Sequence, residues 1–145
     1  MDQLSPQQAR QVWQRVRASD SQGNPLPRLL DLEAEISRAY HVLHNQPQLR
    51  QSSLLSRLRE DSRRFSAILS GMCRLLEQDF TVHAPPSVRG NALGLLRLCC
   101  QSRQESIALL EKLPPELGAS GKLLSEGMKR HCMILLELLG RLPEE

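Results

Sequence analysis

The sequence predicts an all-α fold, an antiparallel four-helix bundle of two helical hairpins preceded by a short N-terminal helix. Leucine supplies about half of the apolar residues, aromatic residues make up only 3% of the chain, and the leucines recur at steps of three and four. Leucine loses little rotamer freedom in a helix, whereas strands are rich in β-branched and aromatic residues. The length of 145 residues fits a single domain, 1–145, with one core.

Charge and cysteine usage exclude several classes of protein. The net charge is +3, but the 19 Lys and Arg residues are spread over every segment, so we expect neither a nucleic acid nor a membrane as partner. The chain shows no secretory signal pattern and no membrane-length apolar run, so we expect a cytoplasmic protein. The cysteine spacing includes no CxxC pair and indicates buried, reduced thiols at Cys73, Cys99, Cys100 and Cys132.

The N-terminal segment 1–20 predicts the short helix. Ser5 suits an N-cap and Pro6 suits the first helical position. The turn-forming stretch DSQGNPLP ends the segment. One helical face carries Ala9, Val12, Trp13 and Val16.

Residues 27–78 predict the first hairpin. Its first helix extends from about Pro27 to Asn45, before Pro47, and its second from about Ser52 to Gln78. Each helix carries a stripe of inward-facing positions at helical spacing. The first stripe is Leu29, Leu30, Glu33, Ile36, Tyr40 and Leu43, and the second is Leu55, Leu58, Ser62, Phe65, Leu69, Met72 and Leu76.

A loop around Pro85 and Pro86 leads into a second hairpin, 92–142, with helices at about 92–113 and 121–142 that flank the loop PPELGAS. The sequence of this hairpin indicates a copy of the first. When the chain is aligned with itself at an offset of 66 residues, without gaps, matching residues recur through both helices. Two such hairpins form a bundle with one long crossover, a topology known to hold metals in its core. The offset aligns Leu29 with Leu95, Leu43 with Leu109, Leu58 with Leu124, Glu60 with Glu126, Arg64 with Arg130 and Leu69 with Leu135.

Three stretches resemble the rubrerythrin branch of the ferritin-like proteins. They are LSPQQARQVWQRV, LLDLEAEISRAYHVL and LSRLREDSRRFSAIL, and the resemblance extends over about residues 4–142. In that family the second helix of each hairpin typically reads like EDERKHAEIL. The resemblance implies a ferritin-like fold with a di-iron or di-manganese centre, in which two helices each supply a glutamate and the other two each supply a Glu-x-x-His pair.

Most of the ligand positions that the resemblance implies are substituted. Only Glu33 and His131 keep a ligand of the expected type, too few to bridge and neutralise two divalent cations. Phe, Met and Cys are side chains that fill a dry core after metals are lost. The resemblance therefore implies a degenerate di-iron site. The single glutamates fall on Glu33 and Cys99, the first Glu-x-x-His pair falls on Ser62 and Phe65, and the second falls on Met128 and His131.

The polar residues of the stripes leave alternatives open. Glu33 and His131 could hydrogen-bond each other, or Tyr40, to satisfy buried polar groups. A soft donor set could instead bind Cu(I) or Zn(II). We expect that set to comprise Cys99, Met128 and His131, with Cys132 or Glu33.

The other acidic residues are expected on solvated faces. Glu60 and Arg64 are four residues apart on a helix, as are Glu126 and Arg130, so both fit surface pairs. The stripe through Leu58, Ser62 and Phe65 indicates that Asp61 points away from the core. The solvated set is Glu35, Glu60, Asp61 and Glu126.

Two functions remain as hypotheses, and the loss of ligands favours the first. The first is a non-catalytic helical module without a cofactor, which acts as a homodimer or through an unidentified protein partner, with an apolar patch near Trp13 or on a bundle face. The second is a metal-dependent oxidoreductase or metal-handling protein with iron or a soft metal at Glu33, Cys99, Met128 and His131. A weaker third reading has basic helices, including RQVWQRVR, on a membrane surface or nucleic acid. No GxSxG or P-loop motif supports a hydrolase or transferase.

Overall fold

The computed structural model describes residues 24–77 and 88–142, and the predicted N-terminal helix with Trp13 lies outside them. The described residues form four α-helices and no strand, which confirms the all-α prediction for these parts of the chain. The helices are α1 (Leu26–His44), α2 (Ser53–Leu75), α3 (Ala92–Leu110) and α4 (Gly118–Arg141), with a single 3-10 turn at Pro115–Leu117 before α4.

The helix ends follow local chemistry and correct three predicted bounds. Ser52 caps α2 by accepting a hydrogen bond from the backbone N–H of Leu55. The α2 helix stops at Leu75 rather than near residue 78, and Glu77 then takes a left-handed φ of 54°. The α3 helix stops at Leu110 rather than near residue 113, and the chain continues in a turn in which Lys112 and Leu113 donate to the carbonyls three residues earlier. The predicted loop PPELGAS was too long, because the 3-10 turn leads directly into α4 at Gly118.

The four helices pack as two hairpins side by side. The most extensive contacts join α1 to α2 and α3 to α4, and further contacts join α1 to α3 and α2 to α4. Arg28 contacts Glu105 while Glu33 contacts Arg103, so residue numbers rise along α1 as they fall along α3. These two helices are antiparallel, and α2 and α3 therefore run in the same direction. The end of α2 and the start of α3 lie at opposite ends of the bundle, as the prediction of two antiparallel hairpins requires.

The core consists of two apolar clusters separated by a layer of polar residues. On every helix, the buried polar residues lie along the chain between residues of the first cluster and residues of the second cluster. The first cluster includes Ile36, Tyr40, Leu43, Leu55, Leu58, Leu95, Leu96, Cys99, Leu135 and Leu138. The second includes Leu26, Leu29, Leu30, Phe65, Leu69, Met72, Leu110, Leu117, Leu124 and Met128. The polar layer contains Glu33 on α1, Ser62 on α2, Ser102, Arg103 and Ser106 on α3 and His131 on α4.

The outer surface is mostly polar but carries some apolar side chains. On α4, Met133 and Leu136 are 69% and 57% exposed and lie one helical turn apart. Leu75, Leu93 and Leu123 are also exposed. Within residues 24–77 and 88–142, the helices lack the combination of length and apolar character that a membrane span requires.

Candidate functional site

The carboxylate of Glu33 lies at the centre of the polar layer. The residue is 1% exposed, so its charge must be compensated inside the protein. Arg103 donates two hydrogen bonds to this carboxylate, from Nη1 to Oε1 at 2.5 Å and from Nη2 to Oε2 at 2.9 Å. Ser62 donates a third hydrogen bond from Oγ to Oε2 at 2.5 Å. Both carboxylate oxygens are thus already occupied by protein donors.

Arg103 supplies the positive charge of the layer. It is fully buried, and its guanidinium lies 5.8 Å from the ring centre of Tyr40 and 5.1 Å from that of Phe65. Burial alone would lower the pKa of Arg103, but the neighbouring charge of Glu33 raises it above its ordinary value. The guanidinium is therefore a permanent cation, held between a carboxylate and the faces of aromatic rings. Its Nε is the one guanidinium nitrogen left without a partner.

His131 lies on the α4 side of the layer and bonds through both ring nitrogens. Its Nε2 is 3.1 Å from Asp61 Oδ2, and its Nδ1 is 3.3 Å from the hydroxyl of Tyr40. Burial, followed by the charge of Arg103, lowers the pKa of His131 to about 4. The neutral ring has one donor and one acceptor, so Nε2–H donates to Asp61 and Nδ1 accepts from Tyr40. Burial also raises the pKa of Tyr40, which keeps that hydroxyl proton in place.

The prediction for Asp61 was wrong. Its side chain is only 25% exposed and reaches His131 across the α2–α4 interface. The physical reason is that Asp61 precedes Ser62 at the edge of the buried stripe, from which a short carboxylate can turn inward to a neighbouring helix. Glu60, by contrast, is exposed and pairs with Arg64 at 3.3 Å, which confirms the predicted surface pair.

The four residues predicted as a metal site are all buried, and they belong to different parts of the core. Cys99 belongs to the first apolar cluster and Met128 to the second, whereas Glu33 and His131 lie in the polar layer. Burial raises the pKa of Cys99 to about 12, so in the metal-free protein this sulfur is a thiol at neutral pH. Of the predicted alternatives, the bond between His131 and Tyr40 is present, whereas the carboxylate of Glu33 binds Arg103 instead of His131.

A di-metal centre does not fit this donor set. In the part of the chain that the structure describes, His, Cys, Asp and Glu side chains nowhere gather in a group of three or more that could hold a metal ion. Ser62 and Phe65 occupy positions where the family resemblance places ligands. Ser62 donates to Glu33, and the Phe65 ring lies 4.9 Å from that of His131, centre to centre. Apart from the Nε of Arg103, the charged and imidazole groups of the layer are paired with groups of the protein itself.

Sequence reasoning missed Arg103 as the central residue. A signal was present in the stretch CCQSRQESI, which has no large apolar side chain between Cys100 and Ile107. Helical periodicity requires some of its residues to face inward, and no apolar candidates exist there. The inward positions are taken by Ser102, Arg103 and Ser106, which are all buried.

Comparisons with protein-family models, with curated proteins and with solved structures gave no match for this chain.

Proposed function

We propose that this chain is a ferritin-like bundle of the rubrerythrin type that has lost di-iron binding and works as a non-catalytic interaction module. The observation that carries the proposal is the buried bidentate pair between Arg103 and Glu33. In this pair the guanidinium of Arg103 occupies the carboxylate of Glu33, which the family resemblance assigns to metal binding. Ferritin-like bundles build their metal centres from inward carboxylates and histidines, and here the inward cation is an arginine.

Charge balance within the polar layer supports the proposal. The family pattern supplies four glutamates, of which this chain keeps Glu33. The single negative charge of Glu33 is balanced by the single positive charge of Arg103. Two divalent cations placed there would be left without counter-charges in a dry core, at a large cost in solvation free energy. Loss of the carboxylates and gain of the arginine are therefore complementary changes.

The surface of α4 supports the interaction part of the proposal. Met133 and Leu136 are largely exposed and adjacent on the helix surface. Apolar side chains of this size at one spot are suited to contact with a second protein chain, and a homodimer is the simplest case. Replacing Met133 and Leu136 with Gln is expected to abolish any dimer seen by light scattering of the purified protein, while the helical circular dichroism is unchanged. A monomeric wild type would contradict the homodimer.

The loss of the metal centre is tested by rebuilding it. The rebuilt variant carries Ser62→Glu, Phe65→His, Cys99→Glu, Met128→Glu and Arg103→Leu, which restores six ligands and removes the cation. After anaerobic reconstitution with Fe(II) and desalting, we expect the rebuilt variant to retain about two iron atoms per chain, as the family's two-metal centre requires, and the wild type to retain only traces. Elemental analysis measures the iron content per chain of the rebuilt variant and of the wild type.

A matched control keeps Arg103 in the otherwise rebuilt variant. We expect this control to bind iron poorly, because the guanidinium continues to occupy Glu33. A folded rebuilt variant that binds no iron contradicts descent from a di-metal bundle. Stoichiometric iron, copper or zinc in the wild type, lost on His131→Ala, contradicts the loss of metal binding and supports the remodelled metal site instead. That alternative has weaker support, because both carboxylate oxygens of Glu33 already accept hydrogen bonds from Arg103 and Ser62.

A further inference from the structure

An open groove lies on the outer face of the first hairpin, between α1 and α2, and none of its lining residues belongs to the polar layer. Its volume is about 580 Å³, within the range of about 300–1,000 Å³ that is usual for small-molecule sites. Basic side chains dominate its walls, and no carboxylate contributes to them. We call it the arginine groove, and it is lined by Ser37, Arg38, His41, Val42, Arg59, Arg63 and Val88.

Three arginines line the groove together, and no carboxylate lines it with them. Arg28, Arg64 and Arg141 each have a carboxylate within 4 Å, as does the buried Arg103. Within residues 24–77 and 88–142, the side chains of Arg38, Arg59 and Arg63 form no ion pair, a property that they share with exposed arginines such as Arg57. Like charges gathered in a concave site repel one another, and their field attracts an anion.

The duplicated hairpin provides an internal comparison. If the groove were a by-product of the hairpin architecture, the second hairpin would carry a similar set of cations at the repeat positions. It carries only one. The residues that lie 66 positions after Arg38, His41, Arg59 and Arg63 are Gln104, Ile107, Ser125 and Lys129. The basic character of the groove therefore belongs to the first hairpin alone.

We propose that the arginine groove binds a phosphorylated small molecule that carries two or more negative charges. The planar guanidinium fork matches phosphate oxygens with paired hydrogen bonds, and arginines from both helices can hold more than one phosphate group. The half-buried side chains of Val42 and Val88 offer an apolar surface for the rest of the molecule. Binding at this groove uses none of the residues of the polar layer, so it succeeds or fails independently of the lost metal centre.

Isothermal titration of the full chain with pyrophosphate, at physiological ionic strength, tests the proposal. We expect binding at one site per chain, with inorganic phosphate weaker than pyrophosphate. Each of Arg59→Gln and Arg63→Gln should weaken the affinity by about tenfold, the loss of one charge-assisted hydrogen bond. The matched control is Arg57→Gln, which removes the same charge from an exposed position of α2 outside the groove. It should leave the affinity unchanged.

Three results overturn the proposal. The first is no heat of pyrophosphate binding to the wild type. The second is an equal loss in the Arg57 and Arg59 variants, which would mean that only net charge matters. The third is binding to heparin or DNA with none to pyrophosphate at the same ionic strength, which would assign the groove to a macromolecular polyanion. Circular dichroism of each variant establishes that it is folded before the titration is interpreted.

Discussion

Replacing Arg103 with Met should destabilise the protein more than any exposed arginine substitution. The change removes two hydrogen bonds and the only charge that balances Glu33, which is left 1% exposed with Ser62 as its remaining donor. Removing one partner of a buried ion pair typically costs about 3–5 kcal/mol, because the other charge stays buried. We expect the free energy of unfolding to fall by about 4 kcal/mol, and the melting temperature to fall by about 13 °C for a chain of this size.

A double-mutant cycle separates the pair from general packing effects. Glu33→Met alone leaves the Arg103 guanidinium buried without its carboxylate partner, and we expect it to lower the free energy of unfolding by a similar amount. The double variant buries no charge, and we expect it to recover to within about 1 kcal/mol of the wild type or to exceed it. Urea unfolding followed by far-ultraviolet circular dichroism measures all four proteins.

Arg28→Met is the matched control, because Arg28 forms an ion pair with Glu105 across the same α1–α3 interface but is largely solvated. It should cost no more than about 1 kcal/mol. Equal effects of Arg28→Met and Arg103→Met would refute the reasoning. A double variant as unstable as the sum of the two single variants would also refute it.

Three further predictions concern His131, the glycines of α4 and Cys99. Burial lowers the pKa of His131 from 6.5 to about 4 in the folded protein. The contribution of its neutral imidazole to the free energy of unfolding is therefore fully present above pH 6.5, and roughly 3 kcal/mol of it is lost as the pH drops to 4. Urea midpoints across that range should show this loss in the wild type, and His131→Phe should lack most of it. A Cβ at Gly127 would lie 2.9 Å from ring atoms of Phe65, so Gly127→Ala should destabilise the protein by about 1–2 kcal/mol, whereas Gly140→Ala, with open space, should stabilise it by about 0.5–1 kcal/mol in thermal melts. Since burial raises the pKa of Cys99 to about 12, iodoacetamide should leave that thiol unmodified in the folded protein, and mass spectrometry that finds it alkylated at the rate of a free thiol contradicts the prediction.

The bundle and its inward faces could be predicted from the sequence because leucine periodicity encodes them directly. All six members of the first predicted stripe are buried, Glu33 and Tyr40 among them. On α2 the stripe is buried from Leu55 to Met72, and Leu76, which lies just beyond the helix end, is partly exposed. These positions depend only on the helical repeat and on the preference of apolar side chains for the core. The prediction succeeds even for polar residues when they share a face with leucines.

The chemistry of the polar layer could not be predicted in the same way. The partner of Glu33 lies 70 residues away, and an arginine on a helix is normally a surface residue. The inward turn of Asp61 likewise depends on His131, which faces it from another helix. Such contacts arise from the packing of four helices together, and the periodicity of a single helix carries no information about them. The arginine groove has the same origin, since its basic residues come from two helices.

We expect the ion pair also to select one packing arrangement for two similar hairpins. Most leucine positions of the first hairpin recur in the second, so apolar contacts alone distinguish poorly between correct and shifted packing. The repeat counterpart of Glu33 is Cys99 and that of Arg103 is Ser37, so the pair can form only once. A shifted packing would leave Glu33 or Arg103 buried without its partner, which is strongly unfavourable. The double Met variant should therefore be stable yet less uniquely packed, with faster hydrogen exchange in α1 and α3 than in the wild type. Equal exchange rates at equal stability would show that the leucines alone specify the packing.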